Sequence, residues 1–339
     1  MNYSKILKNL KQTPPPELND HILVIDAMNM LIRSFSLLKA MSPTGHHIGG
    51  LVGFLRSLGY VTRIFDPTRV IVVWDGKGGS ANRKNIDPNY KANRATSRIT
   101  HWGLYDTKAE ETEALIGQLF RTKDYLECLP LQQIMMEKLE ADDIIAYLAQ
   151  QADKNNKKIT IISSDKDFLQ MVNKNIEVYA PVKKKTFTAD NIEDELKVIP
   201  ENYNIVKALL GDNSDGLKGV KGLGIKTIVS EFPDLVNKPN VTLDYVFEVC
   251  EEKLEGKKIF SKIVHDWDKV ETNYKLMNLH ESVLDDTEKN TILNIIKEDI
   301  PDLQAGAFLH LLDNDKIEGV TKNTEGWLEN FRGLTVFKK

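Results

Sequence analysis

Three short apolar runs, each delivering the chain into an aspartate, constrain this sequence more than any other feature. His21-Ile22-Leu23-Val24-Ile25 leads to Asp26, Val70-Ile71-Val72-Val73-Trp74 leads to Asp75, and Ile159-Thr160-Ile161-Ile162 leads through two serines to Asp165. Continuous runs rich in β-branched residues are strands covered on both faces, as in parallel sheets. Helical periodicity lies between them, over about residues 48–65 and 141–152, and residues 176–182 read as a fourth strand. This alternation predicts an α/β fold, with a mostly parallel central sheet and flanking helices. After about Pro200 helical patterns dominate, with Gly-rich turns between Gly211 and Gly224. The expected organisation is an extension over residues 1–20, an α/β core over 21–200 and a helical part over 201–339.

Ligands of open α/β sheets bind beyond the carboxyl ends of the strands. Asp26, Asp75 and Asp165 are therefore expected to converge on one crevice. Glu140-Ala141-Asp142-Asp143 opens a helix, with Glu140 and Asp143 one turn apart. Asp167 follows the third strand, and Gly211-Asp212-Asn213-Ser214-Asp215 adds two more acids. Two carboxylates about 5 Å apart repel by roughly 3 kcal/mol at an effective dielectric near 20. So many in one cleft must either protonate or be neutralised by cations. Oxygen ligands without His or Cys suit two Mg²⁺ ions, or Mn²⁺ in their place, rather than zinc. Such a pair serves in-line phosphoryl displacement by water.

Other readings exist for each acid taken singly: a strand-end Asp is often a helix N-cap, and Glu140, Asp142 and Asp143 suit a helix dipole. The joint pattern favours a shared metal site. A haloacid-dehalogenase-type phosphatase needs an acid where this chain has Met28, and a kinase-type phosphate loop needs a strand before Gly222-Leu223-Gly224-Ile225-Lys226-Thr227.

Between Asn82 and Arg98 the chain carries Arg83, Lys84, Lys91, Arg94 and Arg98 against Asp87 alone, with Tyr90 and Trp102 among or near them. Cations interleaved with aromatics suit a single strand, charges following phosphates and rings stacking on bases. The region of about 82–127 is expected to stand over the crevice as an arch. The alternative is a solvated helical excursion. Lys218-Gly219-Val220-Lys221-Gly222-Leu223-Gly224-Ile225-Lys226-Thr227 holds three cations and no acid. Its glycines let backbone approach a phosphate, and the next helix start offers N–H groups. It matches a helix–hairpin–helix-type duplex clamp, with K⁺ as its expected companion between Gly219 and Lys226. Lys183-Lys184-Lys185 reads as a solvated loop near duplex backbone. Overall charge is −4, which suits backbone binding if the cations cluster.

Cys128 and Cys250 lack metal-ligand spacing and read as reduced thiols. The first twenty residues hold no apolar signal core, and no run approaches a membrane span. A cytoplasmic monomer without membrane partner is expected.

Together, the strand-end Asp26, Val-Val-Trp-Asp75, Glu140-Ala-Asp142-Asp143, Ser-Ser-Asp165-Lys-Asp167, Gly-Asp212-Asn-Ser-Asp215 and the glycine hairpin resemble the 5′-nuclease family. Arg83 and Tyr90-Lys91-Ala92-Asn93-Arg94 look like its arch motif. That family comprises flap endonucleases, phage 5′–3′ exonucleases and the 5′-nuclease domain of bacterial DNA polymerase I. Compact length makes the chain look most like stand-alone phage members of the T-even ribonuclease H type. The resemblance implies a PIN-like core and a DNA-binding helical C-terminal part. It implies one metal centred on Asp26, Asp75, Glu140 and Asp142, with Asp143 further out. A second would centre on Asp165, Asp167, Asp212 and Asp215. Lys91 and Arg94 would act on the scissile phosphate. The implied substrates are 5′ flaps, nicked duplex DNA and RNA primers on DNA, removed during replication in a phage-infected cytoplasm. A single-strand-binding protein or a sliding clamp is the implied partner, with Gly333-Leu334-Thr335-Val336-Phe337 as a clamp tail or, preferably, a packing segment. The chain departs from the pattern in its first twenty residues and in a longer stretch between Asp75 and Glu140.

Overall fold

The computed structural model of this chain describes residues 17–92, 100–101, 103–317, 320 and 323–337. Six strands, β1 (His21–Asp26), β2 (Arg69–Trp74), β3 (Gln132–Met135), β4 (Lys158–Ile162), β5 (Ile176–Ala180) and β6 (Lys185–Phe187), form one sheet in the order β3-β2-β1-β4-β5-β6. All neighbours run parallel except β5 and β6. The apolar runs became β1, β2, β4 and β5, while β3 and β6 are additions. From β1 the chain steps outward to β2 and β3, then returns to the other side of β1 as β4. The reversal opens a crevice at the carboxyl ends of β1 and β4.

Alternate residues of the strands feed two cores. Leu23, Ile25, Val70, Val72 and Trp74 pack with α1 (Ala27–Leu37) and α2 (Gly49–Phe65). Helix α3 (Ala81–Ile86) rises beyond β2, and Tyr125 and Leu126, near the end of α4 (Lys108–Glu127), join that first core. Ile22, Val24, Ile71 and Val73 pack with α5 (Ala141–Lys154) on the opposite face, together with buried residues from Ile192 to Ile292.

The helices after Pro200 pack on both faces of the sheet. From Ala305 the chain crosses back to the first face, where Phe308, Trp327, Phe331 and Leu334 are buried against α2. Trp327 stacks on Phe308 at 5.0 Å and donates its ring N–H to the Leu55 carbonyl at 3.2 Å. The final Gly333–Phe337 turn keeps Leu334 buried, so this segment packs as a tail on the core. A short hairpin interrupts these helices, where Gly211–Asp212 (β7) pairs antiparallel with Leu217–Lys218 (β8). Gly211 adopts φ +73°, and a side chain on Gly219 would meet the Leu210 carbonyl at 2.0 Å. Both positions need glycine.

Gly59 marks where the returning tail meets α2. A Cβ there would stand 2.0 Å from the Trp327 ring nitrogen. In an exposed helix interior Gly→Ala stabilises by about 0.5–1 kcal/mol. Here the sign reverses: Gly59→Ala is expected to cost about 1–3 kcal/mol through overpacking, read as a lower urea midpoint with an unchanged slope.

Candidate active site: an acidic cleft with buried cations

Asp26 ends β1 and begins α1. One carboxylate oxygen accepts the Asn29 N–H at 3.1 Å, the other the Ser163 hydroxyl at 2.8 Å. The residue thus caps a helix and still faces the crevice. Asp75 follows β2 and accepts the Ala141 N–H at 2.8 Å, which ties the start of α5 to the end of β2. Asp165, beyond β4, accepts the Asp167 N–H at 2.9 Å and donates its own to Ser163 Oγ at 3.0 Å. Asp142 lies in the first turn of α5.

The four acids feel one another. Burial first, and then the charges of Asp75 and Asp165, push the Asp26 carboxyl up to about 7 against the help of its hydrogen bonds. Asp142 keeps some solvent contact, yet loss of water and the charges of Asp165, Asp26 and Asp75 push it well above the ordinary range. Because the charges of Asp75 and Asp165 act on both raised carboxyls, the four acids lie about one space. Among the described residues no three His, Cys, Asp or Glu side chains stand at ligand spacing. All donors are hard oxygens, so the set fits a divalent cation of the Mg²⁺ class.

Glu140 and Asp143 are arranged differently. Arg83, 7% exposed, forks onto both Asp143 oxygens at 2.7 and 2.8 Å. It also reaches Glu140 at 2.8 Å and donates its Nε–H to the Leu276 carbonyl at 3.0 Å. Asp143, expected among the metal-site acids, here anchors a buried guanidinium. Arg83, expected to touch DNA, is buried on these two acids. Tyr90, expected to stack on a base, is 2% exposed and points its hydroxyl at Glu140, 3.2 Å away. Glu140 further accepts the Ser80 hydroxyl and the Lys91 ammonium, at 2.6 and 2.9 Å. Burial would raise the Glu140 carboxyl, but Arg83 and Lys91 outweigh it and hold the group low.

The second acid set has its own cation, missed in the sequence. Lys207, 7% exposed, lies on α7, the helix that becomes seventh once α6 (Ile192–Leu196) is counted, spanning Tyr203–Leu210. Its ammonium pairs with Asp167 and lies 2.8 Å from Asp212. Burial opposes ionisation of Asp212, yet Lys207 and the Ser214 hydroxyl and N–H hold its carboxyl down at about 2. Asp215 is buried, and its carbonyl accepts the Lys91 N–H at 2.9 Å. Lys91 itself has φ +57°.

Of the expected DNA-gripping residues, Lys84 is exposed and Lys91 is half-buried over the cleft. Arg94, Arg98 and Trp102 lie outside the described residues, as does most of the 1–20 extension. In the hairpin Lys218, Lys221 and Lys226 are exposed, Gly222 takes φ +84°, and Gly224 caps the next helix, where its carbonyl accepts the Thr227 N–H at 2.9 Å. Lys262 was not foreseen: its ammonium donates to the Lys221 carbonyl at 3.3 Å and adds a fourth positive charge. Lys183 and Lys185 both bind Glu195 rather than standing free.

Residues 21–197 match the family model described as the 5′-3′ exonuclease, N-terminal resolvase-like domain. A 5′-3′ exonuclease of Bacillus subtilis is 28% identical over 84% of this chain and 92% of its own length. A DNA polymerase I of Rhizobium leguminosarum is 30% identical over 64% of this chain, which spans only 21% of that protein. The fold resembles the bacteriophage T5 D15 flap endonuclease, solved as a pseudo-enzyme–product complex with DNA and metal ions. The TM-score is 0.60 at 18% identity, over 88% of this chain and 100% of that one. It also resembles the catalytic core of Rad2 in complex with DNA substrate, with a TM-score of 0.54 at 19% identity and 98% coverage of each. No helix among the described residues is long and apolar enough to cross a membrane.

Proposed function

Because this chain belongs to the 5′-3′ exonuclease family, we propose that it is a structure-dependent, Mg²⁺-dependent nuclease. Its substrates would be 5′ flaps, nicked duplex DNA and RNA primers on DNA, which gives it ribonuclease H activity as well. The observation that carries this reading is the shared cleft of Asp26, Asp75, Asp142 and Asp165, whose like charges lift two of the carboxyls. With Glu140 they would hold one ion. Asp165, Asp167, Asp212 and Asp215 would hold a second. When bound, the ions supply Lewis-acid charge and a more acidic water.

The chain's own residues do the rest. Ser163 and the Asn29 N–H orient Asp26, and Asp75 holds the first turn of α5 in place. Arg83 fixes Glu140 through two buried contacts to Asp143, so Glu140 keeps a set direction. Lys91, already inside the cleft on Glu140, brings an ammonium to the phosphate whose charge grows as its bond breaks. Arg94 is proposed to join it. Lys84 and the hairpin cations, Lys218, Lys221, Lys226 and Lys262, would hold duplex phosphates without reading bases. K⁺ at the hairpin would compete with Lys262 for the Lys221 carbonyl. Primer removal during DNA replication, in a phage-infected or bacterial cytoplasm, suits this activity. A single-strand-binding protein or sliding clamp would then be a replication partner of the monomer.

The test is a 5′-labelled flap duplex incubated with Mg²⁺ and then with excess chelator. Release of a short 5′-labelled fragment ending in a 3′-hydroxyl, stopping on chelation, is expected. Cleavage undiminished by chelator, or confined to single-stranded RNA, would overturn the reading.

A further inference from the structure

The two acid sets are prepared for a cation in opposite ways. In the first, Asp26 and Asp142 face other carboxylates, and the ammonium that acts on Asp142, that of Lys91, rests on Glu140. In the second, Lys207 places a buried ammonium directly between Asp167 and Asp212. Helix α7 is a firm mount for it. Asn273 of the neighbouring helix Trp267–Met277 donates to the Ala208 carbonyl at 3.0 Å, and Ile205, Val206, Ala208 and Leu209 are buried. The other oxygen of Asp212 is engaged by the Ser214 N–H and hydroxyl, at 2.8 and 2.5 Å.

We propose that Lys207 is a built-in counter-cation of the second acid set, which a divalent ion must displace from Asp167 and Asp212. The inference rests on the two-ion reading given above. A lysine ammonium and a divalent ion compete for the same carboxylates, and each repels the other across a few ångströms. The free protein therefore binds one ion readily and the second weakly. The negative charge of a bound phosphate backbone offsets that repulsion, so the second ion binds strongly only when substrate is in the cleft. Lys207 acts as a positioning residue: it keeps Asp167 and Asp212 together at the right spacing until then, and it withholds the second ion from the empty enzyme.

The experiment is a Mn²⁺ titration of the full chain without DNA, followed by electron paramagnetic resonance of free Mn²⁺. The unaltered protein is expected to show one tight ion and a second at least tenfold weaker. In Lys207→Met the second ion should bind at least tenfold more tightly, on the order of what loss of one adjacent unit charge produces at a protein's effective dielectric. The melting temperature of that variant should fall in chelator and recover with Mn²⁺. Lys207→Gln, which keeps a donor for Asp167 and removes only the charge, serves if the Met variant does not fold and should tighten the second ion likewise. A lysine that merely props the loop predicts the reverse, a second affinity weakened or unmoved in both folded variants, and that result overturns the inference alone. One ion in every protein, at any Mn²⁺ concentration, overturns the two-ion reading and this inference with it.

Discussion

Asp142→Asn is expected to lower flap cleavage by on the order of a thousandfold, the rate equivalent of losing several kcal/mol of metal-borne charge stabilisation. The same change should make the metal-free protein more stable. Asp142 is held against Asp165, Asp26 and Asp75, and removing one like charge relieves on the order of 2 kcal/mol at an effective dielectric near 20. A loss of function coupled to a gain in stability is the mark of an acid kept for chemistry. The pH dependence follows from Asp26, whose carboxyl stands at about 7 in the fold against an ordinary 3.8. Between those values the unfolded chain has given up a proton that the folded chain keeps. In chelator, stability should therefore fall as pH rises from about 4 to about 7, by up to about 4 kcal/mol. Mg²⁺ should flatten that slope. Melting curves across pH with and without Mg²⁺ measure both effects, and a stability that climbs over this window in chelator would refute the account.

The largest loss of stability is expected from Arg83→Met. The variant leaves Asp143 without its buried partner and deprives Glu140 of one of two cations. Breaking a buried pair by removing one member costs about 3–5 kcal/mol, because the stranded charge remains. The deficit should shrink as pH drops, since protonating either acid removes the stranded charge. Arg83→Lys should recover only part, because an ammonium cannot fork onto two carboxylate oxygens while also reaching Glu140 and Leu276. Urea unfolding of the three proteins at neutral and acidic pH would decide the matter. A loss under about 1 kcal/mol would mean that the acids are hydrated after all.

The parts of the fold readable in the sequence were those with strong one-dimensional signals. Continuous apolar runs exposed β1, β2, β4 and β5, and the acids at their ends pointed to the crevice. Strand β3 escaped notice because Gln132-Gln133-Ile134-Met135 has no apolar run. Its position depends on pairing with β2 and on Gln132, whose side-chain amide donates to the Ile295 carbonyl far along the chain. Arg83 and Tyr90 looked like DNA contacts because charge and aromaticity are visible in a sequence and burial is not. Only the end of helix Trp267–Met277, arriving some 190 residues later in contact at Leu276, turns them inward. Lys207 escaped for the opposite reason. A single lysine in an apolar helix reads as a surface residue, and its partners, Asp167 and Asp212, lie 40 and 5 residues away.

The hydrogen bond from the Lys91 backbone to the Asp215 carbonyl has a mechanical meaning. It ties the segment ending at Lys91 and Ala92 to the turn that carries Asp212 and Asp215. Lys91 has adopted a left-handed backbone to make that joint, so it cannot slide without breaking it. Under the proposed nuclease reading, any shift of this segment as nucleic acid binds would tug on the acidic turn, so substrate entry and the geometry of the acids would be coupled.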